Sequence, residues 1–288
     1  MITCKLYGGL GNQLFQIFTT IAYAIKNSKP FFFLNNYQLG NGENGSTIRY
    51  TYWKSFFSSL SPFLKNMDQI PNLTCIKETS FTYEELTINT NANSVLLVGY
   101  FQSPKYFNNY KDTINKILKI NTKQYLVKQK VKELNIFDET IQTISIHFRI
   151  GDYLNYTNIY PILNEIYYIN ALNFILTNNK LFGKDINILY FCEDTDLQYV
   201  EQIVSNLELQ FPFKFVRVNS SLTDWEQMLL MSLCNHNIIA NSTFSWWAAY
   251  LNSNFDKIVC YPKEWFKPET NKDTTDMFLD DWIPIPIN

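Results

Sequence analysis

The segment Thr143–Tyr153 reads TISIHFRIGDY. With a strand's period of two, Thr143, Ser145, His147 and Arg149 share one face and Ile144, Ile146, Phe148 and Ile150 the other. An interior strand of a parallel sheet is ordinarily apolar on both faces, so a polar row is unusual. The stretch runs into Gly151-Asp152, a turn signal, and the carboxyl ends of such strands are where α/β folds hold ligands. A histidine, an arginine and an aspartate within six positions can donate a proton, pair with a phosphate and accept a proton. The competing reading is an edge strand with solvated polar residues and a satisfied histidine.

Downstream of this segment the pattern alternates strand and helix, which predicts an α/β fold with a parallel sheet covered by helices on both faces. Ile186–Cys192 is read as a strand closed by Glu193-Asp194, with Leu197–Leu207 as its helix. Phe213–Val218 is the next strand, and Thr223-Asp224-Trp225-Glu226 is a capping box opening a buried helix over Met228–Cys234. Asn237–Ala240 is a short strand feeding Asn241-Ser242-Thr243-Phe244-Ser245 and a helix over Trp246–Leu251. The hydroxyls of Ser242, Thr243 and Ser245, with first-turn amides, can hold phosphate oxygens, although Ser and Thr are also ordinary N-caps. Ile258–Tyr261 gives a last strand, and a tail with Trp265 and Trp282 follows from Pro262.

Upstream, Ile2–Tyr7 reads as a strand, then Gly8-Gly9-Leu10-Gly11-Asn12-Gln13, then a helix with Leu14, Ile17, Phe18, Ile21 and Ile25 at helical spacing. Strand, glycine turn and helix make an anion or ligand site, but the spacing is neither GxGxxG nor a P-loop, and a tight packing turn explains it equally well. Phe31–Leu34 and Ser94–Phe101 are further strands, Tyr106–Leu118 and Lys123–Asn135 are helical, and the polar, turn-rich Asn35–Ser61 suits either an insertion or an acceptor-facing loop. The domain boundary is expected near Asp138, giving domains 1–138 and 139–288.

The chain of 288 residues, 46% hydrophobic, suffices for one large or two ordinary domains. A net charge of −2 gives no reason to expect nucleic acid as a partner. The 19 Tyr and 23 Phe suit the lining of sugar sites, although codon bias toward A and T explains them more economically. Cys4, Cys75, Cys192, Cys234 and Cys260 form no CxxC pair and read as reduced core residues of a cytoplasmic protein. With only His147 and His236 present, a histidine-rich metal site is not expected. No apolar run is long enough to span a bilayer, and no signal peptide is read at the N-terminus.

Three runs carry a specific resemblance: GGLGNQLFQ at Gly8–Gln16, HFRIGDY at His147–Tyr153, and DWEQMLLMSLCNHNIIANSTFSWWAAYL at Asp224–Leu251. Together they resemble the α-1,2-fucosyltransferases and their GDP-fucose-dependent relatives. The resemblance implies a GT-B fold of two facing Rossmann-like domains, an acceptor-side domain first and a GDP-fucose-binding domain second. It implies inverting transfer of L-fucose from GDP-β-L-fucose to the 2-hydroxyl of a galactose-type acceptor, without a metal. The acceptor would be an oligosaccharide or a glycolipid-linked glycan, with peripheral contact to a membrane-held acceptor.

By the same resemblance Arg149 contacts the nucleotide phosphates, with Asp152 the first and His147 the second candidate for a base. Gly9, Gly11, Asn12 and Gln13 would lie by the donor sugar, Glu193 and Asp194 by the nucleotide, and Asn241, Ser242, Thr243, Phe244 and Ser245 by its phosphates. Relatives often carry a second arginine where this chain has Ile150, which the strand reading turns toward the core. Two other classes stand beside this one. A non-catalytic glycan-binding protein would ignore GDP, and a metal-dependent transferase would use Glu193-Asp194-Thr195-Asp196 as a DxD-like motif.

Overall fold

A computed structural model describes residues 1–39, 48–66, 72–87, 94–179, 181 and 185–288. The chain divides into two compact units, Met1–Thr122 with Asp273–Leu279, and Lys123–Lys272 with Asp280–Asn288. The division falls earlier than Asp138, because the helix Ile120–Glu133 belongs to the second unit for most of its length. Gln124 explains this, donating to Ser232 Oγ (2.9 Å) and to Leu251 O (3.2 Å) within that unit.

The N-terminal unit begins with β1 (Ile2–Cys4) and α1 (Leu10–Lys26). There follow β2 (Phe33–Leu34), β3 (Gln38–Leu39), β4 (Arg49–Tyr50), β5 (Leu64–Lys65), β6 (Thr74–Lys77), β7 (Val95–Val98) and α2 (Lys111–Ile117). Its main sheet is parallel in the order β1-β7-β6, and a parallel bridge from Ile2 to Phe31 leads to the parallel pair β2-β5. The helical spacing of Leu14, Ile17, Phe18 and Ile21 buries all four completely. Of the 35–61 segment, residues 40–47 lie outside the described residues; β3 and β4 flank them as an antiparallel pair.

In the C-terminal unit α3 (Ile120–Glu133) leads to β8 (Gln142–His147), α4 (Glu165–Asn178), β9 (Ile186–Phe191), α5 (Leu197–Gln210) and β10 (Lys214–Arg217). Then come α6 (Asp224–Leu233), β11 (His236–Ile238), α7 (Thr243–Leu251), β12 (Val259–Pro262) and β13 (Ile283–Ile285). All six strands are parallel, in the order β10-β9-β8-β11-β12-β13. Numbered within this unit the order is 3-2-1-4-5-6, the doubly wound arrangement, with its topological switch point between β8 and β11. The expected tail is therefore a strand: β13 pairs with β12, and Trp265 and Trp282 are buried.

The polar row on β8 is central, so the edge-strand reading does not hold. Thr143, Ser145 and His147 are all buried, and each has a partner. Thr143 N donates to Asn235 Oδ1 (2.8 Å), Asn237 Nδ2 donates to Ser145 Oγ (2.7 Å), and His147 Nδ1 lies 2.9 Å from Ser245 Oγ. Asn237 also donates to Met231 O (2.8 Å) and accepts from Asn252 Nδ2 (2.8 Å). Such a row survives burial because every group finds a hydrogen bond. The opposite face, Ile144, Ile146, Phe148 and Ile150, joins Tyr167, Tyr168 and Leu172 of α4 in the apolar core.

The cysteines are all free; Cys4, Cys234 and Cys260 are buried and Cys192 is half-buried against the core, but Cys75 is exposed and is not a core residue. Among the described residues no helix is long and apolar enough to cross a membrane.

Replacing Asn237 with leucine leaves Met231 O and Asn252 Nδ2 short of a partner. At about 1–3 kcal/mol per orphaned group, Asn237→Leu is expected to destabilise the C-terminal unit by roughly 2–5 kcal/mol in urea unfolding.

Candidate functional site

Three connections leave the carboxyl edge of the larger sheet side by side: residues 148–155 after β8, residues 192–196 after β9 and residues 239–242 after β11. The strand carrying His147 ends there, short of Tyr153, and Gly151 takes a positive φ of 32° in the turn that follows. Gly151 N donates to Asp196 Oδ2 (2.8 Å), locking the first connection to the second. A Cβ on Gly151 would lie 3.1 Å from Glu193 Oε2, tighter than ordinary contact.

Arg149 projects from this turn with a side chain only 19% exposed. Its Nη2 meets Asp152 Oδ1 at 2.5 Å, its Nη1 pairs with Glu193 Oε1, and its guanidinium lies 5.2 Å from the Tyr153 ring centroid. Tyr153 is fixed in turn by donating to Asn241 O (2.8 Å) and by stacking on Tyr160 at 4.1 Å and 12°. Burial pulls the Arg149 pKa down, but Tyr153, Asp152 and Glu193 outweigh it and raise the pKa, so the group is a permanent cation. Burial pushes the Tyr153 phenol well up, so it remains a neutral donor.

His147 is held neutral, its pKa lowered to about 3 by burial and then by the Arg149 charge. Its Nδ1 shares a hydrogen bond with Ser245 Oγ (2.9 Å), a hydroxyl that also reaches Ser242 O (3.3 Å). Ser242 caps α7 by accepting from Phe244 N (3.4 Å), and the Phe244 ring lies 5.5 Å from His147. Asn241 is turned inward, donating to Pro161 O (3.0 Å) and Trp265 O (3.4 Å). Thr243 and Phe244 are half-buried at the start of the helix.

The acidic run does not converge on one point. Glu193 pairs with Arg149, Asp194 with Arg217, and Asp196 with Gly151 N. Ile150 is 4% exposed in the apolar core, so its side chain points away from Arg149 even though the strand has ended at His147.

In the N-terminal unit the glycine turn ends β1. Gly8 has φ +81°, and a Cβ there would collide with Asn12, whereas a Cβ on Gly9 would meet nothing within 4 Å. Gly9 is the N-cap of α1, and Gly11 is buried within it. Asn12 Oδ1 accepts from Gln102 Nε2 (2.9 Å). Gln13 is fully buried and holds backbone, donating to Gly8 O (3.0 Å) and Tyr50 O (2.9 Å). Gln16 does likewise, accepting from Tyr7 N (3.2 Å) and donating to Tyr7 O (3.3 Å). At the end of β6, Glu78 accepts from Tyr100 N (2.7 Å) and Phe101 N (2.9 Å), and burial raises its pKa to about 7.

The structure thus brings Arg149, Asp152, His147, Glu193 and Asn241 to Ser245 together at one sheet edge, and separately groups Gly9, Gly11, Asn12 and Gln13 at another. Sequence reasoning gave no role to Tyr153, Arg217 and Glu78, and read Asp196 only as part of a DxD-like motif. Tyr153 lies inside the HFRIGDY run and Asp196 inside the acidic run, but only the fold shows that they hold Arg149 and Gly151.

A doubly wound parallel sheet with an arginine held by two carboxylates at its switch point defines an α/β protein with a charged site at the carboxyl edge of that sheet. Residues 77–286 match Glycosyl transferase family 11. This is more than half the chain, which therefore belongs to that family. It is 32% identical over 200 residues to the O-antigen biosynthesis glycosyltransferase WbnK of Escherichia coli, covering 66% of this chain and 61% of that one. It is 26% identical over 302 residues to an α-1,2-colitosyltransferase of Escherichia coli, covering 99% of both. A galactoside 2-α-L-fucosyltransferase of Caenorhabditis elegans is 24% identical over 268 residues, 88% of this chain and 70% of that one. The mixed α/β architecture with its large parallel sheet accords with a GT-B-like glycosyltransferase. Membership implies a nucleotide-sugar donor and a glycan acceptor.

The glycines separate folding from binding. Gly8→Ala is expected to destabilise the N-terminal unit by about 1–3 kcal/mol, from the positive φ and the clash with Asn12. Gly9→Ala, with open space for its methyl, should leave thermal unfolding unchanged while weakening activity if ligand fills that space.

The buried histidines set a pH dependence. His147 and His236, whose pKa burial lowers to about 4, both titrate near 6.5 when unfolded, so the unfolded chain binds more protons below that pH. Their stabilisation is full above pH 6.5 and is lost as pH falls, while Glu78, raised to about 7, acts in the opposite sense between pH 7 and 4.5. His147→Asn, neutral throughout, should remove about 1.4 kcal/mol of the pH dependence per pH unit between 6.5 and 4.5, read from denaturation at several pH values.

Proposed function

We propose that this protein transfers a fucose-type 6-deoxy sugar from its GDP-activated form to the 2-hydroxyl of a galactose-type acceptor, with inversion and without a metal. The observation that carries the reading is Arg149 at the switch point, oriented by Asp152, Glu193 and Tyr153. As the glycosidic bond breaks, negative charge grows on the leaving diphosphate. A guanidinium held in place by two carboxylates stabilises that charge through the N–H donors they leave over. The start of α7, with Thr243 and the capped Ser242, supports the phosphate side.

In this reading the C-terminal unit takes the nucleotide and the N-terminal unit the acceptor. His147 serves α7 through Ser245, since a neutral imidazole with a pKa of about 3 is a weak proton acceptor at neutral pH. Asp152 orients Arg149. The separate partners of Glu193, Asp194 and Asp196 support a site that works by arginine and amides. The names of the relatives favour α-1,2 linkage and assembly of an O-antigen or similar surface glycan. The relative aligned over 99% of both chains is a colitosyltransferase, which favours a second reading in which the donor sugar is colitose, fucose without its 3-hydroxyl.

The purified protein is expected to turn over GDP-fucose or GDP-colitose with a β-galactoside, at full rate in EDTA, giving a product linked through O2 by NMR. Arg149→Ala should lower kcat by about 10²–10³-fold, and Arg149→Lys, which keeps charge without the planar fork, should restore only part of it. A product linked elsewhere, a metal requirement, or near-normal turnover by Arg149→Ala defeats the assignment.

A further inference from the structure

In the N-terminal unit three connections leave one edge of the sheet β1-β7-β6: the glycine turn after β1, residue 78 onward after β6, and residues 99–103 after β7. The last is strained. Phe101 is fully buried and takes φ +54°, a left-handed conformation that costs a non-glycine residue on the order of 1 kcal/mol or more. Two bonds to one carboxylate hold it there, from Tyr100 N to Glu78 Oε2 and from Phe101 N to Glu78 Oε1. Gly99 is glycine because a Cβ would run into the Glu78 side chain. The next residue, Gln102, donates to Asn12 Oδ1 (2.9 Å), and Ser103 Oγ donates to Asp276 O (2.6 Å). The Tyr100 ring meets Tyr7 edge-on at 4.6 Å.

We propose that Glu78 is a positioning residue for sugar transfer: by clamping the Tyr100 and Phe101 amides, its carboxylate holds Gln102 against Asn12 at the ligand-binding edge of the N-terminal sheet. The proposal rests on the functional reading above and adds to it a residue outside the three shared runs. The clamp needs both oxygens as acceptors. When the carboxyl takes up a proton, one oxygen presents an O–H toward a backbone N–H, and one of the two bonds is lost.

The titratable groups facing Glu78 are Glu84, whose negative charge disfavours ionisation, and Tyr106, whose own pKa is pushed up to about 12. Burial is the largest influence and brings the Glu78 pKa to about 7 against the two amide bonds. The sign follows: the clamp is closed above about pH 7 and opens as pH falls through it.

The test pairs Glu78→Gln with backbone and side-chain amide NMR on the whole chain. In the wild type the Tyr100 and Phe101 amides and the Gln102 side-chain amide should shift together with one midpoint near pH 7, and in Glu78→Gln that titration should vanish. In assays, the variant's kcat/KM should fall by about 10- to 100-fold and the acid limb near pH 7 should disappear, with GDP affinity unchanged and the melting temperature lowered by the one amide left without an acceptor. Independent titration of these amides, or wild-type kcat/KM with an unchanged acid limb in the variant, overturns the proposal. If the wild type transfers no sugar from any GDP donor, the functional reading fails, and the amide titration still decides the clamp.

Discussion

The parallel pairing of β8 with β11 is the constraint on which the larger unit depends. It places strand one of the sheet beside strand four, and a doubly wound sheet opens at that juncture because the crossovers on either side depart to opposite faces. The pairing is specified by more than backbone. Thr143 reaches Asn235, Ser145 reaches Asn237 and His147 reaches Ser245, a row of buried polar contacts that a one-residue slip would break entirely. A partly matched polar row would cost more than an apolar one, so the register that satisfies every member is strongly preferred.

That register has a chemical consequence. It brings the turn carrying Arg149 and the start of α7 to one edge, joined by Tyr153 bonding to Asn241 O and by His147 bonding to Ser245. Arg149 is then surrounded by Asp152, Glu193 and the Tyr153 ring, which fix its fork before any ligand arrives. A guanidinium so held has already lost most of its rotamer freedom and stays charged. The N-terminal unit uses buried amides for the same purpose: Gln13 and Gln16 hold the backbone around the glycine turn instead of facing a ligand.

Local signals were read well where local chemistry decides. Thr223 and Glu226 form the capping box their spacing predicts, and the apolar repeat of α1 is buried from Leu14 to Ile21, with Ile25 only half-buried. The strand-helix alternation of the second half became a fully parallel sheet. Errors fell where distant contacts decide. The strand carrying His147 stops at that residue, since the turn is drawn to Asp196 through Gly151. The presumed tail became β13 because β12 offers an open edge, and α4 escaped notice because apolar residues surround it instead of forming one stripe. Cys75 proved exposed on the edge strand β6.

From its sequence alone this protein's class was legible: an α/β chain whose glycine turn, HFRIGDY run and long Asp224–Leu251 run resemble those of a glycosyltransferase family. These are contiguous runs, and it is their resemblance to one family that carries the class. Only the tertiary structure decided what each polar residue does. It turned Gln13 inward, gave Glu193 and Asp194 to two different arginines, sealed His147 against Ser245 and set Glu78 beneath the Tyr100–Phe101 turn. The reason is physical: a side chain's role follows from its partner and its burial, and both are set by residues far away in sequence.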